Sequence, residues 1–318
     1  MTALRGGVDL GGTKISAIVV DERHEVLGQA RTETPREGGP PAVADALAAA
    51  LGEAAQAAGT TPAELRGVGV GSPGAVDSAT GSVAGARNLP GWVGSFPLAA
   101  ELRERLGTEV RIGNDVTVAT RGEFELGAGR EHRSLLGVFW GTGVGGGIVL
   151  DGEVWDGRGA AGEFGHQVVR VLGALCGCGN RGCVEAYAGR MAMEGWAGRR
   201  EEEGKQTQLF AIARERGKER LTSSVWERAY HEGDRVAIRA LERAADALGA
   251  GIASSVNLLD LPAVVVGGGM GERFWDSHGP RIAAAMHANL FQRDAPPALL
   301  RSGLGDLGGA IGAALLVD

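Results

Sequence analysis

The stretch "GVDLGGTKISAIVVDE", residues 7–22, sets a glycine turn between two apolar runs, and the pattern returns at 134–155 as "SLLGVFWGTGVGGGIVLDGEVW". The alternation in "ISAIVV" is that of a strand, so each stretch reads as strand, glycine turn, strand. One such hairpin needs no ligand to explain it. Two of them, with a third glycine turn at "VVVGGGM", point to a nucleotide. Successive backbone N–H groups make a nest for an anion, and glycine lets the anion approach. Within "DLGGTK" the nest of Gly11 and Gly12 gains the Thr13 hydroxyl and the Lys14 ammonium, and Asp9 offers a carboxylate suited to hydrated Mg²⁺. Gly141, Thr142 and Gly143 form the matching turn of the second hairpin, and Gly268 and Gly269 lie in the third.

Outward from the hairpins, strands and helices alternate. "EVLGQARTETP" reads as a third strand, and "GGPPAVADALAAALGEAAQAAGTTP" as an Ala-rich helix opened by proline and closed by Gly59. "LRGVGVGSPG" is a buried strand ending in a Gly/Pro turn. A helix at "PLAAELRERLG", a strand at "EVRIGND" and a helix from about Val116 to Leu126 follow. Further on, helices are expected around Met191–Arg200 and from about Asp234 to Leu259, with "RREEEGKQ" between them as a solvated turn. "PAVVVGGGMGE" is a buried strand running into a glycine turn, and "GDLGGAIGAALLVD" a closing helix. This is an α/β architecture. Because the hairpin motif restarts soon after Asp115, two domains are expected, 1–115 and 116–304, with the helix 305–318 packing back on the first.

The 318 residues suffice for two such domains. The 55 glycines are far above the usual share of roughly 7%, and runs such as "GVGVGSPG" suggest close approach of backbone to a ligand. A formal charge of 32 minus 39, or −7, and no basic stripe interleaved with aromatics argue against a nucleic-acid partner. No apolar run is long enough to span a bilayer, and "MTALRGGVDLGG" lacks a signal-peptide core. Three thiols, an odd number, and no export signal suit a reducing cytoplasm, where clustered cysteine means metal more often than disulfide.

All three cysteines fall in "CGCGNRGC", ten residues and more after His166. The spacing His-x₉-Cys-x-Cys-x₄-Cys offers one imidazole and three thiolates, a full tetrahedral set for Zn²⁺, and a filled set is structural. Glu163 and Glu185 flank the loop and could accept hydrogen bonds from sugar hydroxyls, or be surface carboxylates only. In "IGNDVTVAT", Asp115 follows a strand and opens a helix. It is either an N-cap or a general base placed where α/β proteins hold their ligands. "GVGSPG" and "GTGVGG" match G-x-G-x-x-G, yet neither runs into a helix, so a dinucleotide fold is not indicated. No G-x-x-x-x-G-K-[ST] occurs, so this is not a P-loop enzyme.

Together these motifs resemble the ROK family of sugar kinases and sugar-responsive repressors: "DLGGTK" its first phosphate loop, "GTGVGGG" its second, "GEFGH" with "CGCGNRGCVE" its sugar and zinc signature. The resemblance covers nearly the whole chain. It implies a pair of actin/hexokinase-like α/β domains with a cleft between them, ATP and Mg²⁺ as cofactors, structural zinc on His166, Cys176, Cys178 and Cys183, and a homodimer. It implies Asp115 as general base toward the 6-hydroxyl of a hexose, glucose first among the candidates. Asn114, Glu163, His166 and Glu185 match its sugar-binding positions, with Gly74 and Asn88 lining the same pocket. Phe164 stands where a smaller aliphatic residue is expected. Only eight residues precede Asp9, so no helix-turn-helix is expected there. The same chemistry on N-acetylglucosamine, N-acetylmannosamine or fructose is the nearest alternative, and a sugar-sensing module without catalysis the more distant one. A zinc hydrolase would need an open metal position, which four protein ligands do not leave.

Overall fold

The computed structural model describes all residues except Met1, Thr2, Arg87, Asn88, Pro90 and Asp318. The chain opens on the hairpin of β1 (Arg5–Leu10) and β2 (Lys14–Val20), with β3 (Val26–Glu33) beside it. α1 (Gly39–Ala57), β4 (Val68–Ser72) and a small antiparallel sheet of β5 (Ala75–Asp77), β6 (Ser82–Ala84) and β7 (Ser95–Phe96) come next. α2 (Leu98–Leu106), β8 (Val110–Asn114) and α3 (Asp115–Glu125) follow. The second hairpin is β9 (Leu135–Trp140) and β10 (Val144–Leu150), extended by β11 (Glu153–Val154). Five helices then run to residue 259: α4 (Glu185–Ala188), α5 (Arg190–Glu202), α6 (Leu209–Glu215), α7 (Ser223–His231) and α8 (Arg235–Leu259). β12 (Ala263–Gly267), α9 (Gly268–Asn289), β13 (Ala298–Arg301) and α10 (Gly308–Ala314) complete the fold.

The two hairpins seed two sheets of one plan. Their strand orders are β3-β2-β1-β4-β8 and β11-β10-β9-β12-β13. β1 pairs antiparallel with β2 and parallel with β4, which is parallel to β8. In the second sheet β12 is parallel to both β9 and β13, and β10 is antiparallel to β11. The echo between residues 7–22 and 134–155 therefore extends to whole sheets.

Two compact units result. The first holds Met1–Arg130, Gly147–Ala161 and Gly303–Asp318, the second Glu131–Gly146 and Gly162–Ser302. The change of domain expected at Asp115–Val116 falls inside the first unit. The reason is packing: α3 lies so close to α10 that a Cβ on Gly312 would stand 1.9 Å from the Val118 carbonyl oxygen. In this unit Leu47 and Leu51 of α1 and Leu102 of α2 are fully buried with Val8, Leu10, Val70 and Ile112 of the strands. Each such side chain contributes roughly 2 kcal/mol of burial. In the second unit Trp140 and Phe274 pack with ring centroids 6.1 Å apart. Phe164, larger than expected for its position, is accommodated by glycine: added Cβ atoms at Gly146 and Gly251 would reach it at 2.6 and 3.0 Å. Among the described residues no helix is long and apolar enough to cross a membrane.

Three sequence expectations change. The glycines of "GVGVGSPG" serve helix-on-sheet packing more than a ligand. A Cβ on Gly69 would lie 1.7 Å from the Ala313 carbonyl oxygen of α10, and one on Gly71 would lie 2.8 Å from the Val118 side chain of α3. "RREEEGKQ" is not wholly a turn, since Arg199–Glu202 forms the last turn of α5. And "GGGMG", expected as a glycine turn, is the start of α9, a helix of 22 residues that carries Pro280 in its interior. α6 and α7 were not anticipated either.

Candidate active site

In the first unit the parallel strands end level with one another. Asp9 lies opposite Gly71, and Gly71 opposite Gly113. Asp9 and Gly113 are thus two strand spacings apart, about 10 Å, and Asn114 and Asp115 come immediately after. The capping role weighed for Asp115 is filled by its neighbour. Asn114 is the N-cap: its Oδ1 accepts the N–H groups of Val116 and Thr117, both at 3.1 Å. Asp115 is the first helical residue, half-buried at the positive end of α3, and its Oδ1 accepts the Val116 N–H at 2.9 Å. Capping takes the Asn114 oxygen, which leaves the amide nitrogen as the atom able to meet a hydroxyl.

Asp9 is the next-to-last residue of β1 and half-buried, and protein crowds its carboxyl: a Cβ on Gly309 would lie 2.7 Å from the Asp9 Cγ. Burial pushes this carboxyl up to about 6, against the pull of Lys14 and Arg31. Lys14 itself is half-exposed and stands 3.9 Å from Asp306, which also takes Arg31 at 3.2 Å. The Gly11–Thr13 turn is closed by the Gly11 N–H donating to the Lys14 carbonyl at 2.9 Å. It is also braced by the buried Thr34, just past β3, whose hydroxyl donates to the Gly11 carbonyl at 2.6 Å and whose N–H donates to the Thr13 carbonyl at 3.1 Å. Gly12 and Thr13 face solvent. Gly74, just past β4, has φ of 95°, and a Cβ there would meet the Ala84 carbonyl at 2.7 Å, so the position accepts only glycine. Asn88 lies outside the described residues.

In the second unit the turn Gly141–Thr142–Gly143 is held from two sides. The N–H groups of Arg190 and Met191, at the start of α5, donate to the carbonyls of Gly141 and Thr142, both at 3.2 Å. Glu185 accepts the Val144 N–H at 2.9 Å, and a Cβ on Gly143 would stand 2.4 Å from the same carboxylate oxygen. β12 ends with Gly267 opposite Phe139. Gly268, at φ of 83°, then packs against Trp140, whose carbonyl oxygen would lie 2.6 Å from an added Cβ. The N-terminus of α9 therefore sits beside the Gly141 turn.

His166, Cys176, Cys178 and Cys183 converge, their ligand atoms all within 4.8 Å of one another. The His166 Nδ1 is 3.7 Å from the Cys176 sulfur, and the sulfurs of Cys178 and Cys183 are 3.8 Å apart. A tetrahedron with Zn–S bonds of about 2.3 Å has edges of about 3.8 Å, so the donor set fits zinc. Burial pushes the Cys176 thiol up to about 12 and raises Cys183, while a backbone hydrogen bond from Asn180 lowers Cys178. Buried thiols of this kind give up their protons to a metal. Single bridges between Val168 and Cys183 and between Leu175 and Arg181 hold the loop, and the Tyr187 hydroxyl accepts the Ala174 N–H at 2.9 Å. The outward His166 Nε2 is 3.8 Å from Glu163, and the Cys176 sulfur lies 3.9 Å from Glu185. Glu185 thus touches both the thiol cluster and the glycine turn. Thr34, Tyr187 and Arg190 were not singled out in the sequence, since their partners lie in other elements.

A sequence profile of the ROK family matches residues 5–318. A glucokinase of Thermotoga maritima is 34% identical over 265 residues, 83% of this chain and 81% of that protein. An N-acetyl-D-glucosamine kinase of Yersinia pseudotuberculosis is 32% identical over 98% of this chain and 97% of its own. Among solved structures, a ROK family glucokinase from Streptomyces griseus, in complex with glucose and AMPPNP, superposes with a TM-score of 0.83 at 33% identity over 99% of both chains.

Proposed function

The chain belongs to the ROK family, and on that premise we propose that it transfers the γ-phosphoryl group of ATP to the 6-hydroxyl of a hexose, with glucose as the preferred acceptor. Its α/β fold is of the actin/hexokinase-like kind. The observation that carries the mechanism is the division of labour at β8–α3. Asn114 satisfies the helix end, and the carboxylate of Asp115 stands beside it for proton transfer. Asp115 accepts the 6-hydroxyl proton while that oxygen attacks the γ-phosphorus. Lys14 and the N–H groups of the Gly11–Thr13 and Gly141–Gly143 turns offset the charge that spreads over the phosphoryl oxygens. Asp9, a crowded carboxylate at a strand end, is the group that would hold hydrated Mg²⁺, which neutralises phosphate charge when bound. Glu163, His166 and Glu185 are the groups for hydrogen bonds with the sugar ring hydroxyls, Gly74 and Asn88 are further sugar-binding positions by the family's pattern, and Gly268 and Gly269 carry the adenosine end of the nucleotide.

Zinc would be held by His166, Cys176, Cys178 and Cys183 and would supply rigidity without chemistry. A homodimer in the cytoplasm completes the reading, supported by the family and by three free thiols. N-acetylglucosamine is the second acceptor to weigh, because the N-acetyl-D-glucosamine kinase of Yersinia pseudotuberculosis aligns with 98% of this chain. The test is ADP release with Mg-ATP against glucose, mannose, fructose, N-acetylglucosamine and N-acetylmannosamine. A dominant rate on glucose supports the proposal. A dominant rate on an N-acetyl sugar replaces the acceptor and keeps the chemistry, and no turnover on any sugar leaves a sensor.

A further inference from the structure

We propose that Arg190 is a ligand of the nucleotide phosphates, a guanidinium mounted on the second glycine turn. The proposal rests on the reading of this chain as an ATP-dependent kinase. Arg190 opens α5, and its own N–H and that of Met191 tie the helix to the carbonyls of Gly141 and Thr142. Its Nη2 donates to the Thr142 hydroxyl at 2.9 Å, so the cation is aimed at the turn and not away from it.

What Arg190 lacks is a carboxylate in contact with it. Arg190 is half-buried, and burial lowers its pKa against the attraction of Glu194, with which it nevertheless forms no contact ion pair. Glu194, one helical turn on, is turned elsewhere: it takes Arg220 at 2.9 Å and the Leu221 N–H at 3.1 Å. A half-buried guanidinium whose neighbouring carboxylate is engaged elsewhere is favoured by an anion brought into contact with it. Hydrogen bonding to Thr142 uses one of five donors, and the planar fork matches two phosphate oxygens.

There is also room for that anion. Added Cβ atoms at Gly141 and Gly269 would meet nothing within 4 Å, so both the turn and the first turn of α9 open onto free space. α9 begins without a side-chain cap, and Gly268 holds its N-terminal N–H groups against the end of β9. Guanidinium, turn amides and helix N-terminus present donors of one sign to the same volume. A phosphate chain is the anion that uses all three.

The test compares binding of Mg-ATP, Mg-ADP and adenosine to the full chain and to its Arg190→Met and Arg190→Lys variants by calorimetry, with glucose KM and zinc content as controls. Arg190→Met is expected to weaken ATP and ADP by about 10- to 100-fold while leaving adenosine affinity, glucose KM and zinc content as they were. Arg190→Lys should recover part of the loss, since it restores charge without the fork. Unchanged ATP affinity in Arg190→Met overturns the proposal. So does an equal loss of ATP and adenosine, which would mean the side chain only shapes the turn. Failure of the unsubstituted chain to bind Mg-ATP at all would instead remove the kinase reading, and this proposal with it.

Discussion

Asp9→Asn should make the protein more stable and inactive at once. The Asp9 carboxyl titrates at about 6 in the fold against an ordinary 3.8, with burial the main cause. At about 1.4 kcal/mol per tenfold change, ionising it at neutral pH costs the folded state roughly 3 kcal/mol. The sign follows from the direction. A carboxyl raised by folding favours the folded state while protonated, so its contribution is fully present below pH 3.8 and is lost as the pH rises through about 6. Asparagine has the same shape and never ionises. Its advantage over aspartate should therefore be small near pH 4, grow up to about pH 6 and level off above it. At pH 8 the gain is about 3 kcal/mol, several degrees in the midpoint of thermal unfolding. Thermal melts of both proteins from pH 4 to 8 measure this, and Mg-ATP should narrow the gap by supplying aspartate with a cation. A less stable Asp9→Asn at pH 8, or a difference that does not vary with pH, would show that crowding against Gly309 does not govern this carboxyl.

Asp115→Asn should lower kcat by about 10²-fold or more with little change in sugar KM. The asparagine oxygen can still accept the Val116 N–H, so the helix start survives; near-normal turnover would remove Asp115 as the base. Stripping zinc, or replacing Cys183 by serine, should lower the melting point and cost about 10-fold or more in activity. Sugar and nucleotide affinity should weaken together, because Glu185 touches the thiol cluster and the Gly143 turn alike. Metal-free protein with full activity would contradict this. Glu123→Gln should cost about 2–4 kcal/mol, since the buried carboxylate accepts the N–H groups of Ala128, Gly303 and Leu304 and an amide can accept at one oxygen only. Denaturant midpoints check it, and a loss below about 1 kcal/mol would mean water replaces the missing acceptor.

The parts of the fold that were legible depend on short-range pattern. Both hairpins show in the alternation of a few residues, and the His166–Cys183 cluster gathers within one local loop, so spacing alone announces it. What stayed hidden depends on pairings that sequence order does not reveal. Thr142 meets Arg190 across 48 positions and Gly11 meets Thr34 across 23. Helix α9 was concealed because its glycine-rich start and Pro280 look like breakers in isolation, while packing of Phe274, Ile282 and Met286 in the core overrides propensity. The glycines misled most. Gly7 and Gly69 are small so that another helix can come near, and a ligand would require the same residue type.

That close fit has a consequence during synthesis. α10 supplies Ala310 and Ala313, whose carbonyls press on Gly7 and Gly69, and Val317 is buried beyond it. The first unit thus lacks one of its covering layers until α10 is made, after all of Glu131–Gly146 and Gly162–Ser302 has emerged. At usual elongation speeds that is a wait of roughly 10–30 s, with the glycine-lined face of β1 and β4 bare on the ribosome. A premature stop near residue 300 would then undo the part of the protein that was made first.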